Sequence, residues 1–181
     1  MAPGRHDRDS VTTLALDLLD RVGLPDLSMR RLAAELEVQP SALYWHFANK
    51  QELLAAVADR ILSRIPQPEP GTDVTEVATG IRDALLTYRD GAEVVMSTYA
   101  LRLGARRAQD ALQAVIGDAA SADALFEFIL GHTTLVQQRM HAQSIGAATD
   151  AADDPAADLD AVFRAGIRAF AALSVVQDPR S

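Results

Sequence analysis

The sequence predicts an all-helical chain, and three observations carry that expectation. Apolar residues recur every three to four positions along most of its length, the period that gathers them on one face of a helix. The apolar set makes up 49% of 181 residues and is dominated by Ala and Leu, while only 5% of residues are aromatic. Such residues lose little side-chain freedom on entering a helix. No segment shows the apolar–polar alternation of a half-buried strand, and no internal repeat is visible.

The first stripe, Val11, Leu14, Ala15, Leu18, Leu19 and Val22, predicts a helix over residues 9–22. Gly23 suits its C-terminal cap, and Pro25 makes continuation costly. Ser28 is a good N-cap for a second helix over 29–36, with Leu32, Ala33 and Leu36 facing inward. After a tight turn at Glu37-Val38, a short third helix begins near Pro40, a residue tolerated in a first turn, and ends by Asn49. A fourth, over 50–65, carries Leu53, Leu54, Val57, Ile61 and Leu62 on one side. The run Pro66-Gln67-Pro68-Glu69-Pro70-Gly71 is the clearest breaker in the chain. Residues 1–50 are therefore expected to form one unit, 51–71 a connecting helix and junction, and 72–181 a second helical unit.

In that second unit a helix is expected over 74–88, with Val77, Ile81, Ala84, Leu85 and Tyr88 aligned. Shorter helices follow over 92–99 and 106–117. A long one over 121–143 carries Leu125, Phe128, Ile129, His132, Leu135 and Val136. The last, over 158–176, carries Val162, Phe163, Ile167, Phe170 and Leu173. Residues 145–156 are small, acidic and aperiodic, which predicts a loop.

Composition narrows the chemistry. There is no cysteine, so disulfides, thiolate metal sites and thiol nucleophiles are excluded. No phosphate-cradling glycine loop, nucleophile elbow or HExxH pattern is present, so neither an enzyme nor a cofactor or metal site is expected. The polar start and the lack of a long apolar run predict a soluble protein of the cytoplasm with no membrane partner. The formal net charge of −8 is unevenly placed: six cations and seven anions lie within residues 1–50, leaving that part at −1 and the rest at −7. A near-neutral first unit is not built for strong non-specific DNA binding, which comes from phosphate neutralisation.

Two short helices joined by a tight turn, behind an amphipathic helix, nevertheless have the layout of a helix-turn-helix, whose second helix can enter the major groove. Gln39, Ser41, Ala42 and Tyr44 occupy the exposed positions near the start of that second helix. Arg30 can read guanine bidentately, Gln39 can read adenine, and the Ala42 methyl can meet that of thymine. Tyr44, His46 and Lys50 suit phosphate contacts. Trp45 and Phe47 read as core or junction residues. Ordinary helical bundles contain the same pattern, so spacing alone leaves DNA binding open.

Residues 27–54, LSMRRLAAELEVQPSALYWHFANKQELL, resemble the DNA-binding signature of the tetracycline-repressor (TetR) family, most specifically in Leu43-Tyr44-Trp45-His46-Phe47, Asn49-Lys50 and Leu53-Leu54. The resemblance implies a homodimer whose N-terminal three-helix helix-turn-helix binds a palindromic double-stranded DNA operator. A C-terminal bundle would then bind a small-molecule effector and dimerise. It implies DNA contacts from Ser28, Arg30, Gln39, Pro40, Ser41, Ala42, Tyr44, His46 and Lys50. Glu37 stands where the family often has Gly, and a positive φ there costs energy that a glycine would not.

The segments 84–94 and 131–135 resemble the sensing domain of the tetracycline-repressor branch. Its ligand chemistry does not carry over. Val95, Pro66, Tyr99 and Met140 stand where that branch has drug- or magnesium-binding groups, which argues against a tetracycline–magnesium complex. Tyr88, Met96, Tyr99, Leu103, His132, Gln137, Gln138 and Met140, with His141 beside them, are the expected pocket residues. They suit an apolar or aromatic molecule fixed by a few hydrogen bonds. The helices over 121–143 and 158–176 are expected to pair with those of a second copy, burying Phe128, Phe163, Ile167 and Phe170. The competing expectation is a helical module that binds a small molecule or a protein and no longer reads DNA.

Overall fold

The computed structural model describes residues 7–146 and 155–176, and these hold nine helices and no strand. They are α1 (Arg8–Val22), α2 (Met29–Glu35), α3 (Pro40–Leu43), α4 (Lys50–Leu62), α5 (Val74–Leu86), α6 (Gly91–Ala100), α7 (Arg106–Ile116), α8 (Ala119–Ser144) and α9 (Pro155–Val176). The loop expected over 145–156 lies mostly outside the described residues. None of the described helices is long and apolar enough to cross a membrane.

Five helices begin where a side chain supplies an acceptor for an amide the helix itself leaves unpaired. The Asp7 carboxylate accepts from the Ser10 amide at 2.8 Å, and the Ser10 hydroxyl accepts from the Asp7 amide at 3.0 Å. Ser28 serves α2, Asn49 serves α4, Asp73 serves α5 and Asp118 serves α8 in the same way.

The expected third helix is shorter in the structure, spanning one turn. The Leu43 carbonyl accepts from both His46 and Phe47 at 2.9 Å, which closes the turn, and Phe47 drops into the core. Asn49 is fully extended (φ −159°) so that it can cap α4. The tight turn between α2 and α3 puts Glu37 at φ 55°, in the left-handed region. A residue with a Cβ loses roughly 1 kcal/mol there, and Glu37 is exposed with nothing to gain from its side chain. Glu37→Gly is therefore expected to raise the unfolding free energy by about 0.5–1 kcal/mol. A fall in the urea midpoint would contradict this account of the turn.

α4 carries the load between the two halves of the chain. One face packs on α1 and another on α6, and Leu53, Val57, Ala58, Ile61 and Leu62 are all buried. Arg60 on α4 pairs with Asp9 on α1 and donates to Thr13 at 3.3 Å. In the second half α8 packs on α5, α6, α7 and α9. Phe163 and Ile167 are already buried within the chain, under α8 and α5. They are core residues of one copy, contrary to the expectation that a partner copy buries them. Phe128 is half-buried and lies on the backbone of α9 at Gly166, where a Cβ would fall 2.1 Å from the ring.

Candidate nucleic-acid interface and effector cleft

The helix-turn-helix is assembled around two inward anchors, Leu43 and Phe47, both essentially inaccessible to solvent. Ser28 spends its hydroxyl as the N-cap of α2, accepting from the Arg31 amide at 3.2 Å. Arg30, Gln39 and Ser41 are exposed, Pro40, Ala42, His46 and Lys50 are half-buried, and Tyr44 is 53% exposed. Trp45 is 89% exposed, which corrects its reading as a core or junction residue. With α3 closed after one turn, Phe47 takes the inward position and Trp45 is left facing solvent beside Tyr44. The aromatic run is therefore split between fold and surface, and spacing alone could not say which ring went where. Arg8 supports the run from α1, donating to the His46 carbonyl at 2.6 Å and lying 4.3 Å over the Phe47 ring. Arg21 on α1 pairs with Glu35 on α2 at 3.2 Å. Arg30, Arg31 and Lys50 are in no ion pair among the described residues and are free to meet phosphate or base edges.

A latch joins the end of α1 to the corner between α5 and α6. Asp20 accepts from the Arg89 amide at 3.0 Å, and Asp90 accepts from the Leu24 amide at 2.8 Å. Asp90 occupies the N-cap of α6 but makes no capping bond to its own helix, and it sits in the left-handed region at φ 56°. Its carboxylate is committed to the other half of the molecule. Gly23 completes the latch: a Cβ there would lie 2.9 Å from the Asp90 carboxylate, and its φ is 81°. Gln137 of α8 secures the same corner, accepting from the Ala92 amide at 3.0 Å and donating to the Leu85 and Tyr88 carbonyls at 3.2 and 2.8 Å. Nothing in the sequence signals these bonds, because they join residues 45 to 69 positions apart through backbone groups.

Beside the latch lies a cleft of about 640 Å³ whose walls include Leu86, Tyr88, Gln137, Met140, His141 and Ile145. It brings together three of the expected pocket residues: Tyr88, Gln137 and Met140. Gln138 lines an adjoining depression with Gln137 and His141. The other four lie elsewhere. Tyr99 faces a separate trough, Met96 packs on the core, and Leu103 is exposed after the end of α6. His132 is only 7% exposed and lies between the rings of Phe128 and Phe163, with centroids 5.9 and 5.2 Å away. It lines none of these clefts.

The His132 environment has a pH signature. Burial first, then the charges of Arg82 and Arg139, hold its pKa below the usual 6.5, against the opposing pull of Asp160. Neither His132 Nε2 nor Arg82 Nε has a partner among the described residues, and Arg82 pairs with Asp160. The imidazole is thus more basic in the unfolded chain than in the folded one. Its contribution is complete above pH 6.5 and is lost as pH falls from there through the lower folded value. His132→Phe is expected to flatten that part of a stability–pH profile, measured by urea denaturation. Equal slopes for both proteins would contradict it. Asp7, Asp73 and Asp118 also have lowered pKa values, held down by their capping bonds, but they titrate in the more acidic carboxylate range.

Similarity to known proteins was found at three levels. The profile of the family described as bacterial regulatory proteins, tetR family, matches residues 11–57. The class G tetracycline repressor protein of Vibrio anguillarum is 41% identical over 99 residues, which cover 51% of this chain and 47% of the repressor. The chain spans about half the length of the curated relatives it matches. Mycobacterium smegmatis BioQ is similar in structure with a TM-score of 0.78 and 34% identity, over 93% of this chain and 99% of that one. BioQ crystallised with its double-stranded DNA operator gives 0.75 and 32%, over 96% and 100%. A TetR variant from Acinetobacter baumannii AYE, in complex with minocycline, gives 0.70 and 28%, over 93% and 96%.

Proposed function

The chain belongs to the tetR family of bacterial regulatory proteins, and from that premise we propose that it is a homodimeric DNA-binding repressor released from a palindromic operator by a small molecule. The observation that carries the proposal is the recognition surface itself. Arg30, Gln39, Ser41, Tyr44 and Trp45 are exposed, and Lys50 is half-exposed, around the buried pair Leu43 and Phe47. The similarity of BioQ bound to its operator supports the same use of this surface.

Dimerisation suits the outer faces of α8 and α9. Gly131 and Leu135 on α8, and Val162, Ala165 and Ala169 on α9, are exposed although apolar or small, and two copies can cover them by pairing these helices. Such pairing fixes the distance between two recognition helices, which must match about one turn of DNA. Domain roles follow: residues 1–50 read DNA, 51–71 connect, and 72–181 sense and dimerise.

The effector belongs in the cleft beside the latch. Tyr88, Leu86, Met140 and Ile145 offer apolar contact, and His141 offers a polar one. The Gln137 side chain is already committed at both ends. An occupant that displaced it would loosen the α5–α6 corner, and with it the Asp20 and Asp90 bonds to α1. Coupling of about 1–3 kcal/mol, typical of such linkage, would weaken operator binding roughly 5- to 150-fold. A tetracycline–magnesium complex does not fit, because Val95 is buried and carries no donor.

Selection from a random DNA pool with the purified protein, read by sequencing, tests the proposal. An enriched palindrome is the expected result. No enrichment at low salt from a folded protein would overturn it and favour a module that binds ligand or protein without reading DNA.

A further inference from the structure

We infer that the trough between α6, α7 and α8 is a binding site for a small zwitterion of peptide size, its carboxylate held by Arg102 and Arg106 and its ammonium by Asp123 and Glu127. The trough encloses about 760 Å³, and these four side chains line it together with Tyr99 and Asp110. Its two cations face the two carboxylates of α8, and Asp110 on α7 adds a third anion. The two guanidiniums stand on the α6–α7 loop and the first turn of α7, while Asp123 and Glu127 stand one turn apart on α8.

Opposite charges that share a wall usually close on each other, and here they do not. Neither Arg102 nor Arg106 is in an ion pair among the described residues. The carboxylates are held back by neutral partners. Gln109 donates to Asp123 at 2.7 Å, and the Tyr99 hydroxyl donates to Glu127 at 3.4 Å. The Tyr99 ring is itself anchored edge-on against Phe126, with centroids 5.2 Å apart. An ammonium between Asp123 and Glu127 would gain charge-assisted hydrogen bonds beside an aromatic ring, and a carboxylate can accept from a guanidinium in a bidentate manner. Asp110 gives the lining one more anion than cation, so a molecule with only a carboxylate is the worse fit. Free amino acids are small for this volume, and a di- or tripeptide matches it better.

The loop that carries Arg102 is strained. Arg102 at φ 57° and Ala105 at φ 71° are both in the left-handed region, each at a cost of roughly 1 kcal/mol. The loop is also tied to α4, where the Ala105 amide donates to Asp59 at 3.2 Å, and in the first turn of α7 Arg107 donates at 2.9 Å to the carbonyl of Ile65, just beyond the end of α4. Occupancy would therefore be felt at α4, which supports the recognition unit. That consequence rests on the DNA-binding proposal, whereas the binding site does not.

The test is an NMR titration of the isotope-labelled full chain with triglycine, N-acetyl-triglycine and triglycine amide, which carry both charges, the carboxylate only and the ammonium only. Triglycine is expected to give saturable shifts centred on residues 99–110 and 119–127, with smaller ones near Asp59 and Ile65, at about tenfold lower concentration than either blocked form. The double variant Asp123→Asn, Glu127→Gln is expected to lose the tenfold over N-acetyl-triglycine while its thermal midpoint stays put. Equal binding of the three peptides, shifts that spare residues 99–110 and 119–127, or no saturation by roughly 50 mM would overturn the proposal. The peptide comparison uses the unaltered protein, so it decides the matter even if the variant misfolds. DNA selection performed in parallel separates the two readings, since either can fail with the other intact.

Discussion

Replacing Gly91 with alanine is expected to lower the unfolding free energy by about 3 kcal/mol, a large fraction of the stability of a chain this size. Gly91 is the first residue of α6 and is buried at the corner where α5 ends. A Cβ there would lie 2.5 Å from the Leu85 carbonyl oxygen, a backbone atom that no rotamer change can remove. Nor can the corner simply open. Leu85 and Tyr88 accept from Gln137, Ala92 donates to it, and Asp90 and Arg89 are fastened to the end of α1. Relieving the clash means breaking several of these bonds together, so the cost should appear in urea denaturation and the cleft above the corner should distort with it. Gly80→Ala supplies the contrast. Gly80 lies inside α5 with nothing within 4 Å of its Cβ position, so alanine there should stabilise by up to about 1 kcal/mol. If Gly91→Ala left the midpoint unchanged, α6 would not be docked on α5 in the way described.

The same corner shows what the sequence could and could not reveal. Helices such as α1 and α4 were legible because burying one face forces a period on the chain, and Val11, Leu18 and Leu19, or Leu53, Val57 and Ile61, record it directly. Capping at Ser28 was legible for a similar reason, since the residue type and the chemistry coincide. Periodicity fails where an element is one turn long. α3 has a single buried side chain, so the pattern reads Trp45 and Phe47 alike as core or junction, whereas Phe47 is inside and Trp45 is outside. It fails again where two partners compete for the same apolar face. Phe163 and Ile167 looked available to a second copy, but α5 and α8 of their own chain had already covered them. The latch left no trace at all, because an aspartate that accepts from a distant backbone amide looks like any surface aspartate. His132 was equally ambiguous: an imidazole on an apolar stripe reads as a ligand contact until the rings beside it are seen.

Arg30→Ala is expected to weaken binding to the selected operator by about a hundredfold or more while leaving the unfolding midpoint unchanged. The side chain is exposed and in no ion pair among the described residues, so truncating it removes nothing the fold uses. A bidentate arginine–guanine contact discriminates by about 1–3 kcal/mol, and a dimer on a palindrome makes it twice. The loss should be concentrated at one base pair in each half-site, so that repeating the selection with the variant relaxes that position alone. Lys50→Ala is the informative partner. A lysine at the first turn of α4 that neutralises a phosphate contributes equally to every sequence. Its removal should lower affinity uniformly and reduce the salt slope by about one per half-site. The two variants thus divide sequence reading from backbone attraction. That division matters most in a chain whose first fifty residues carry a formal charge of only −1, because little non-specific attraction is available to mask a lost base contact. If Arg30→Ala instead behaved like Lys50→Ala, with a lower slope and no relaxed position, Arg30 would be a phosphate ligand. Base recognition would then fall to Gln39, Ser41 and the exposed aromatic pair Tyr44 and Trp45.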